Sequence, residues 1–555
     1  MTPLGIRSSS FHRHGIWWFM FAVLALVAVA RLRLLAFPLE RDEGEYAYAG
    51  QLILQGIPPY ELAYNMKFPG TYLAYATIMA VFGQSPAGIH LGLLLMTTAT
   101  ALLLFWLGKK ILDETAGVAA ATSYALLAAS PSMLGLAGHA THFCAFFVTA
   151  GLCLMWRARQ REDYLTLAAG GICFGLAVLM KQHAVIIAAW AGLAFAVGKI
   201  LRANQSIGKR FAAVSVYGLA MLTPLALCCL WLWRAGVFGK FKFWTFDYAR
   251  QYASVMPLAY APQLFWHSFS WVITSCILLW LVAFGGLALV GLDARWKHSR
   301  IWFLGFGAAS ALAVCPDFYF RRHYYLIALP ALALLAGATV SGLRRWWGGR
   351  VSPLGDWPVW GYALLVAASI LANAGVWFVQ PAWQIIRGTS ATDHGLYSVD
   401  PLPEAEIVAQ FIRENSAPDA QMAVLGSEPE IFFLARRHSA TGYLYTYALM
   451  EPQLFAVQMQ REMMGELEKN RPEFVVFAAN ILSWNRHPES DVTIFHWWDN
   501  YRTNYTLVGM TDIISATNTI VALGTNFVAR YPEAHGSALE IYQRRKAPPA
   551  AGKNF

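Results

Sequence analysis

The chain alternates long apolar runs with short polar connections for its first 380 residues, then changes character. Runs long enough to span a bilayer fall near 16–37, 86–108, 115–136, 140–157, 164–181, 183–201, 211–233, 265–291, 300–316, 324–342 and 358–380. The connections between them alternate in charge. Lys109-Lys110, Trp156 to Arg161, Lys199 to Arg210, Arg295 to Arg300 and Arg344 to Arg350 are basic, which places them on the cytoplasmic side. The segments 38–67, 137–142, 181–183, 236–263, 316–323 and everything after 380 then lie outside. This gives eleven crossings, or up to thirteen if two more are hidden in the count. The run 69–83 is apolar but short, and a full crossing there would invert every later loop. It reads as an outer-leaflet or re-entrant helix.

Within the first outer segment, Gly44 to Gln55 has helical periodicity. Tyr46, Ala49, Gly50 and Ile53 recur at i, i+3, i+4 spacing. Asp42 stands at the N-cap position and Glu45 three residues on completes a capping-box pattern; Gly56 and Pro58-Pro59 end the helix. From about 384 to 547 the pattern becomes that of a small α/β domain. Helices are expected at 404–415, 428–436 and 453–469, and strands at 422–426 and 473–478. The expected fold is therefore a polytopic α-helical membrane protein of about 11–13 transmembrane helices (residues 1–380) carrying a C-terminal extracytoplasmic α/β domain (residues 381–555).

Composition agrees: 57% of the 555 residues are hydrophobic and 13% charged, with a mean hydropathy of +0.43. The net charge of +10 is uneven. Residues 1–380 carry 28 Lys+Arg against 13 Asp+Glu, and residues 381–555 carry 14 against 19. The excess is loop bias in the membrane part, so no nucleic-acid partner is expected. All seven cysteines lie in or beside apolar runs and form neither a disulfide framework nor a CxxC metal pattern. No GxGxxG or Walker loop marks a nucleotide site. The apolar run 16–30 follows Arg7, His12, Arg13 and His14 but precedes no small-residue cleavage site, so it reads as an uncleaved first span.

The candidate chemistry gathers on the outer side. Glu40, Asp42, Glu43, Glu45 and Lys67 occupy the first outer segment. Charged groups pinned between membrane helices are costly to place and usually functional. The turn 315–325 adds Arg321, Arg322 and His323, and the aromatic loop 236–263 adds Lys242 and Arg250. An acid beside several cations at a bilayer surface suits attack by a hydroxyl on a lipid-phosphate-linked group. The acid takes or orients the proton, and the cations balance the leaving phosphate. Tyr46 is a candidate sugar contact. His139 and His142, at i, i+3, share a helix face and could together hold a divalent metal.

Asp-Glu-x-x-Tyr-Ala (Asp42, Glu43, Tyr46, Ala47) followed by Lys67 and Pro69 resembles the C-type membrane glycosyltransferases, in particular their aminoarabinose-transferase and protein-O-mannosyltransferase relatives. The resemblance implies an inverting transfer from a polyprenyl-phosphate sugar to an extracytoplasmic acceptor (lipid, glycan or protein) at a bacterial inner membrane. It implies Asp42 as catalytic base with Glu43 in support, and Lys67, Arg321, Arg322 and His323 on the donor phosphate. The chain departs from the relatives in having Lys67-Phe68-Pro69 for Lys-Pro-Pro, and His139 and His142 where an acid often stands. The alternatives are a transporter or flippase of lipid-linked sugars, for which no internal repeat is visible, and an O-antigen-ligase-like transferase. The topology is directly testable. Single cysteines at Gln55 and Glu489 in a cysteine-free background should both react with an impermeant maleimide in intact cells, and protection of either overturns the arrangement.

Overall fold

The computed structural model describes residues 10–161, 163–200, 206–292, 296, 300–348, 356–379, 400–515, 518–524 and 537–545. The expected boundary at 380/381 lies outside these residues, as do parts of the basic connections at 199–210, 295–300 and 344–350.

Among the described residues, seven helices are long and apolar enough to cross a membrane: Gly15–Arg33, Pro86–Ile111, Ala140–Arg161, Ile207–Arg234, Thr274–Leu292, Arg322–Trp347 and Trp357–Val379. Four shorter apolar helices, Gly70–Phe82, Tyr164–Met180, Ala184–Gly198 and Arg300–Leu312, lie among them. Glu114–Ala128 is buried along almost its whole length. One expected span is broken. The run 265–291 forms a helix over Ala261–Val272, a 3-10 turn over Thr274–Cys276 and a second helix over Ile277–Leu292. Ser275 at the break is hydrogen-bonded to Ser132 at 2.7 Å, so the polar turn is satisfied against the 131–133 segment. The 13 residues of Gly70–Phe82 rise only about 20 Å, against a hydrocarbon core of about 30 Å.

The first outer helix runs from Arg41 to Leu54, and its cap differs from the expected one. Glu40 is the N-cap, its carboxylate accepting the Asp42 N–H, while the Glu43 carboxylate accepts the Glu40 N–H at 3.2 Å. The capping box is therefore Glu40/Glu43, two residues upstream of Asp42/Glu45, and Asp42 has no capping role. This helix is wedged between two bodies. Gly50 meets the backbone of Gly70–Phe82, where a Cβ would sit 2.9 Å from the Ala76 nitrogen. On another face, a Cβ on Gly44 would lie 2.6 Å from the Glu430 backbone nitrogen.

Glu430 belongs to an α/β unit with one six-stranded sheet. The strands β1 (Gln421–Leu425), β2 (His438–Ser439), β3 (Phe474–Ala478), β4 (Tyr505–Ser515), β5 (Asn518–Leu523) and β6 (Ser537–Arg544) are ordered β2-β1-β3-β6-β4-β5. β1 pairs in parallel with β2 and β3, and the remaining neighbours are antiparallel. The helices Leu402–Glu414, Glu430–Ala435 and Ala456–Asn470 fall where periodicity placed them. The antiparallel half, β4 to β6, was not legible as strands. The first outer segment joins this unit to the membrane helices. The Tyr64 N–H donates to the Gly442 carbonyl at 2.6 Å, the Ser439 N–H donates to the Tyr48 hydroxyl at 2.7 Å, and Arg41 pairs with Asp400 at 2.9 Å and Glu428 at 3.0 Å.

Candidate active site

Four carboxylates in six residues cannot share one environment without strong repulsion, and helical geometry separates them. Residues three apart lie on one face, whereas neighbours diverge by about 100°. Asp42 and Glu45 therefore point the same way, and Lys67 bridges them: its ammonium lies 2.8 Å from Asp42 Oδ1 and 2.5 Å from Glu45 Oε2. The Tyr46 ring lies 4.6 Å below the same ammonium, and the Tyr72 hydroxyl donates to Glu45 Oε1 at 2.5 Å. Burial opposes the charge on Asp42, but Lys67, with His139 and His323 beside it, holds its carboxyl well below the usual range. Burial pushes the Glu45 carboxyl up despite the same lysine.

Glu43 turns inward. It is fully buried, accepts the Gly138 N–H at 2.5 Å, and lies 3.2 Å from His90 Nε2 on the helix Pro86–Ile111. It does not line the cavity described below, which corrects the expectation that it supports the reacting acid directly. It is a clamp. It ties the acidic helix to the 134–139 loop, which Arg31 in turn fixes by donating to the carbonyls of Ala128 and Gly135, each at 2.8 Å.

Asp42, Lys67 and Tyr46 open onto a cavity of about 980 Å³. Its walls also carry Arg250, Arg321, Arg322, His323, Lys181 and Asp317, so the structure gathers segments up to about 280 residues apart. Arg250 and Arg322 are exposed and meet no carboxylate among the described residues. The Arg321 guanidinium lies 5.5 Å over the Tyr319 ring. Lys67, expected on a phosphate, is instead committed to two carboxylates. Lys242 lies outside the cavity, largely exposed and 3.7 Å from Asp247. Lys181 lies 3.6 Å from the Tyr324 ring, and burial lowers its ammonium to about 8.

The histidine pairing also differs from the sequence expectation. His142 is buried away from Asp42, and its place is taken by His323, whose ring stacks on His139 with centroids 4.2 Å apart. Asp42 Oδ2 lies 3.7 Å from both His139 Nδ1 and His323 Nε2. These separations are too long for hydrogen bonds. They match the ~3.4 Å expected between ligands on ~2.1 Å bonds to a tetrahedral ion. Both ring nitrogens of His139 lack a hydrogen-bond partner among the described residues. Asp42, His139 and His323 thus have the donor set and spread of a divalent-metal site. Spacing on one helix favoured His142; only the fold brings in His323, 184 positions further on.

The α/β unit contributes Asp400, Tyr445, Tyr447 and Glu451 to the same cavity, none of which the sequence singled out. Tyr445 donates to the Arg41 carbonyl at 2.9 Å and its hydroxyl lies 3.4 Å from Asp42 Oδ1. Glu451 accepts from the Tyr248 hydroxyl at 2.7 Å, and burial raises its carboxyl to about 7.

Two predictions follow from these environments. Glu43→Ala leaves His90 and the Gly138 N–H without their buried acceptor and should cost roughly 3–5 kcal/mol of stability, read as a lower thermal midpoint of the purified protein without any substrate. Glu451 has a raised native pKa, so its folded state retains a proton that the unfolded chain releases near 4.5. Its contribution is complete below pH 4.5 and is lost as pH rises through about 7. Glu451→Gln should therefore match wild type at pH 5 and exceed it at pH 8, by at most about 3 kcal/mol; parallel melting curves across that range refute the assignment.

Comparison with known proteins bears on this arrangement. Residues 67–233 match the family model for dolichyl-phosphate-mannose-protein mannosyltransferase. No curated protein matches the chain. Among solved structures, ArnT from Cupriavidus metallidurans bound to undecaprenyl phosphate is similar with a TM-score of 0.57 at 15% identity, over 91% of this chain and 98% of that one. The archaeal oligosaccharyltransferase AglB from Archaeoglobus fulgidus, in complex with an inhibitory peptide and a dolichol-phosphate, gives 0.52 at 14% identity over 93% and 75%. The oligosaccharyltransferase of the same organism, in complex with Zn and sulfate, gives 0.51 at 15% identity over 90% and 73%. The family match covers residues 67–233, less than a third of the chain, and the solved structures share its polytopic membrane fold along about nine-tenths of its length.

Proposed function

We propose that the protein moves a sugar from a polyprenyl-phosphate donor to a hydroxyl-bearing acceptor on the outer face of the membrane, with inversion. The observation that carries this reading is the cavity that holds an ionised carboxylate, Asp42, and two guanidiniums, Arg250 and Arg322, that meet no carboxylate among the described residues. The similar structures in complex with undecaprenyl phosphate or dolichol-phosphate support this donor class.

In this reading the acceptor oxygen attacks the anomeric carbon as the bond from that carbon to the phosphate oxygen breaks. The lipid phosphate departs with the bonding pair, and Arg250, Arg321 and Arg322 balance its charge. Asp42 accepts the hydrogen bond of the attacking hydroxyl and orients it, and the hydroxyl proton leaves through that contact. Lys67 is a positioning residue: it fixes the rotamer of Asp42 and keeps the carboxylate charged. Tyr46 and Tyr445 flank the ammonium and shape the wall against which the sugar lies. A divalent cation would be held by Asp42, His139 and His323 and would supply a fixed positive charge there. The α/β unit, on the periplasmic side in this reading, closes the cavity on the acceptor side.

Since Glu40 caps the helix, Asp42→Asn should leave the fold intact and isolate the chemistry. Turnover of a polyprenyl-phosphate sugar by purified protein should fall by about 10² to 10⁴, a loss far beyond any drop in the thermal midpoint from weakening the Lys67 pair, which Glu45 still holds. Arg322→Ala should act chiefly on donor KM, by about 10-fold or more for a lost charge-assisted hydrogen bond. Near-normal turnover in Asp42→Asn would reduce that residue to a structural partner of Lys67.

A further inference from the structure

The cavity holds a second lysine whose surroundings differ from those of Lys67. Lys181 ends the helix Tyr164–Met180, and its turn is tied to the first outer segment. The Gln182 amide donates to the Met66 carbonyl at 2.8 Å, and the Thr71 hydroxyl donates to the Met180 carbonyl at 3.0 Å. These bonds fix the backbone and leave the Lys181 side chain in the cavity wall. Its ammonium rests on the face of Tyr324, 3.6 Å from the ring centroid, and meets no carboxylate within ion-pair distance among the described residues. Asp317 lines the same cavity, but its two oxygens accept from the Tyr319 N–H and the Tyr324 hydroxyl, each at 3.3 Å. Lys67, by contrast, is already held by two carboxylates. A desolvated cation without a counter-ion is costly, and a ring face offsets only part of that cost.

We propose that Lys181 is the inner ligand of the donor phosphate, in the place expected for Lys67. The assignment rests on the transfer from a polyprenyl-phosphate donor proposed above. Arg321 begins the 3-10 turn that carries Tyr324, whose N–H donates to the Arg321 carbonyl at 2.8 Å. The ammonium on Tyr324 and the Arg321 guanidinium therefore line the cavity from one turn of chain, while Arg250 and Arg322 line it from exposed positions. A phosphate that reaches both meets a compact cation with three donors and a planar guanidinium. It passes from one negative charge toward two as the sugar leaves, so its pairing with Lys181 strengthens along the reaction.

The test is binding of the lipid carrier without its sugar. Full-length protein in detergent is titrated with undecaprenyl phosphate and, separately, with undecaprenol, which has the same tail and no phosphate; bound lipid is read by native mass spectrometry. Wild type should bind the phosphate form more tightly. Lys181→Gln should weaken binding of undecaprenyl phosphate by about 10- to 100-fold, the loss of one charge-assisted hydrogen bond, and leave undecaprenol binding unchanged. Its ligand-free thermal midpoint should equal or exceed that of wild type, because the substitution removes a desolvated charge. Lys181→Arg keeps the cation and should retain most of the preference. An unaltered preference in Lys181→Gln, or a ligand-free midpoint well below wild type that marks the lysine as a strut for Tyr324, overturns the assignment and leaves the donor class standing. Equal binding of the two lipids by wild type overturns both.

Discussion

Everything around the cavity depends on the ion pair of Lys67 with Asp42 and Glu45. Two carboxylates on one helix face, close to a membrane, would repel and protonate. One ammonium between them holds Asp42 charged and fixes both side chains, and its desolvation cost is offset because Tyr46 and Tyr72 complete the shell. Gly44 and Gly50 permit the close packing on either flank, and larger residues would force the helix away from the sheet or the membrane helices.

The neighbouring carboxylates have distinct tasks because the helix sends them in different directions. Glu40 caps the start of the helix, Glu43 fastens it to His90 and the Gly138 loop, and Asp42 meets the cavity with an oxygen that Lys67 does not occupy. That oxygen faces two histidines from separate segments at equal distance. The same three groups serve an acceptor hydroxyl or a cation, since both need a charged oxygen with open space in front of it.

The α/β unit is part of the site's wall. Arg41, next to Asp42 in the chain, is drawn into it by Asp400, Glu428 and Tyr447, and Tyr445 returns to touch Asp42. Loosening the unit would therefore move the first turn of the acidic helix. Its parallel half was readable because β1 and β3 are short apolar runs between helices. β4 to β6 carry mixed polar residues such as Thr511, Asp512 and Glu540, and declare themselves only through cross-strand pairing.

By itself the sequence determined the membrane class, most helix positions, the acidic helix and its resemblance to a transferase family. Each of these rests on hydropathy, periodicity or spacing within a few turns of chain. It also named Asp42, Lys67, Arg250, Arg321, Arg322 and His323 individually, because charge next to apolar runs is costly wherever it occurs. The tertiary structure decided their partners: Lys67 on two carboxylates, Glu43 turned inward, Lys242 left outside, and His323 in the place of His142. Those outcomes depend on which segments meet across about 20 to 280 residues of sequence. Packing sets such contacts, and local pattern carries no information about them.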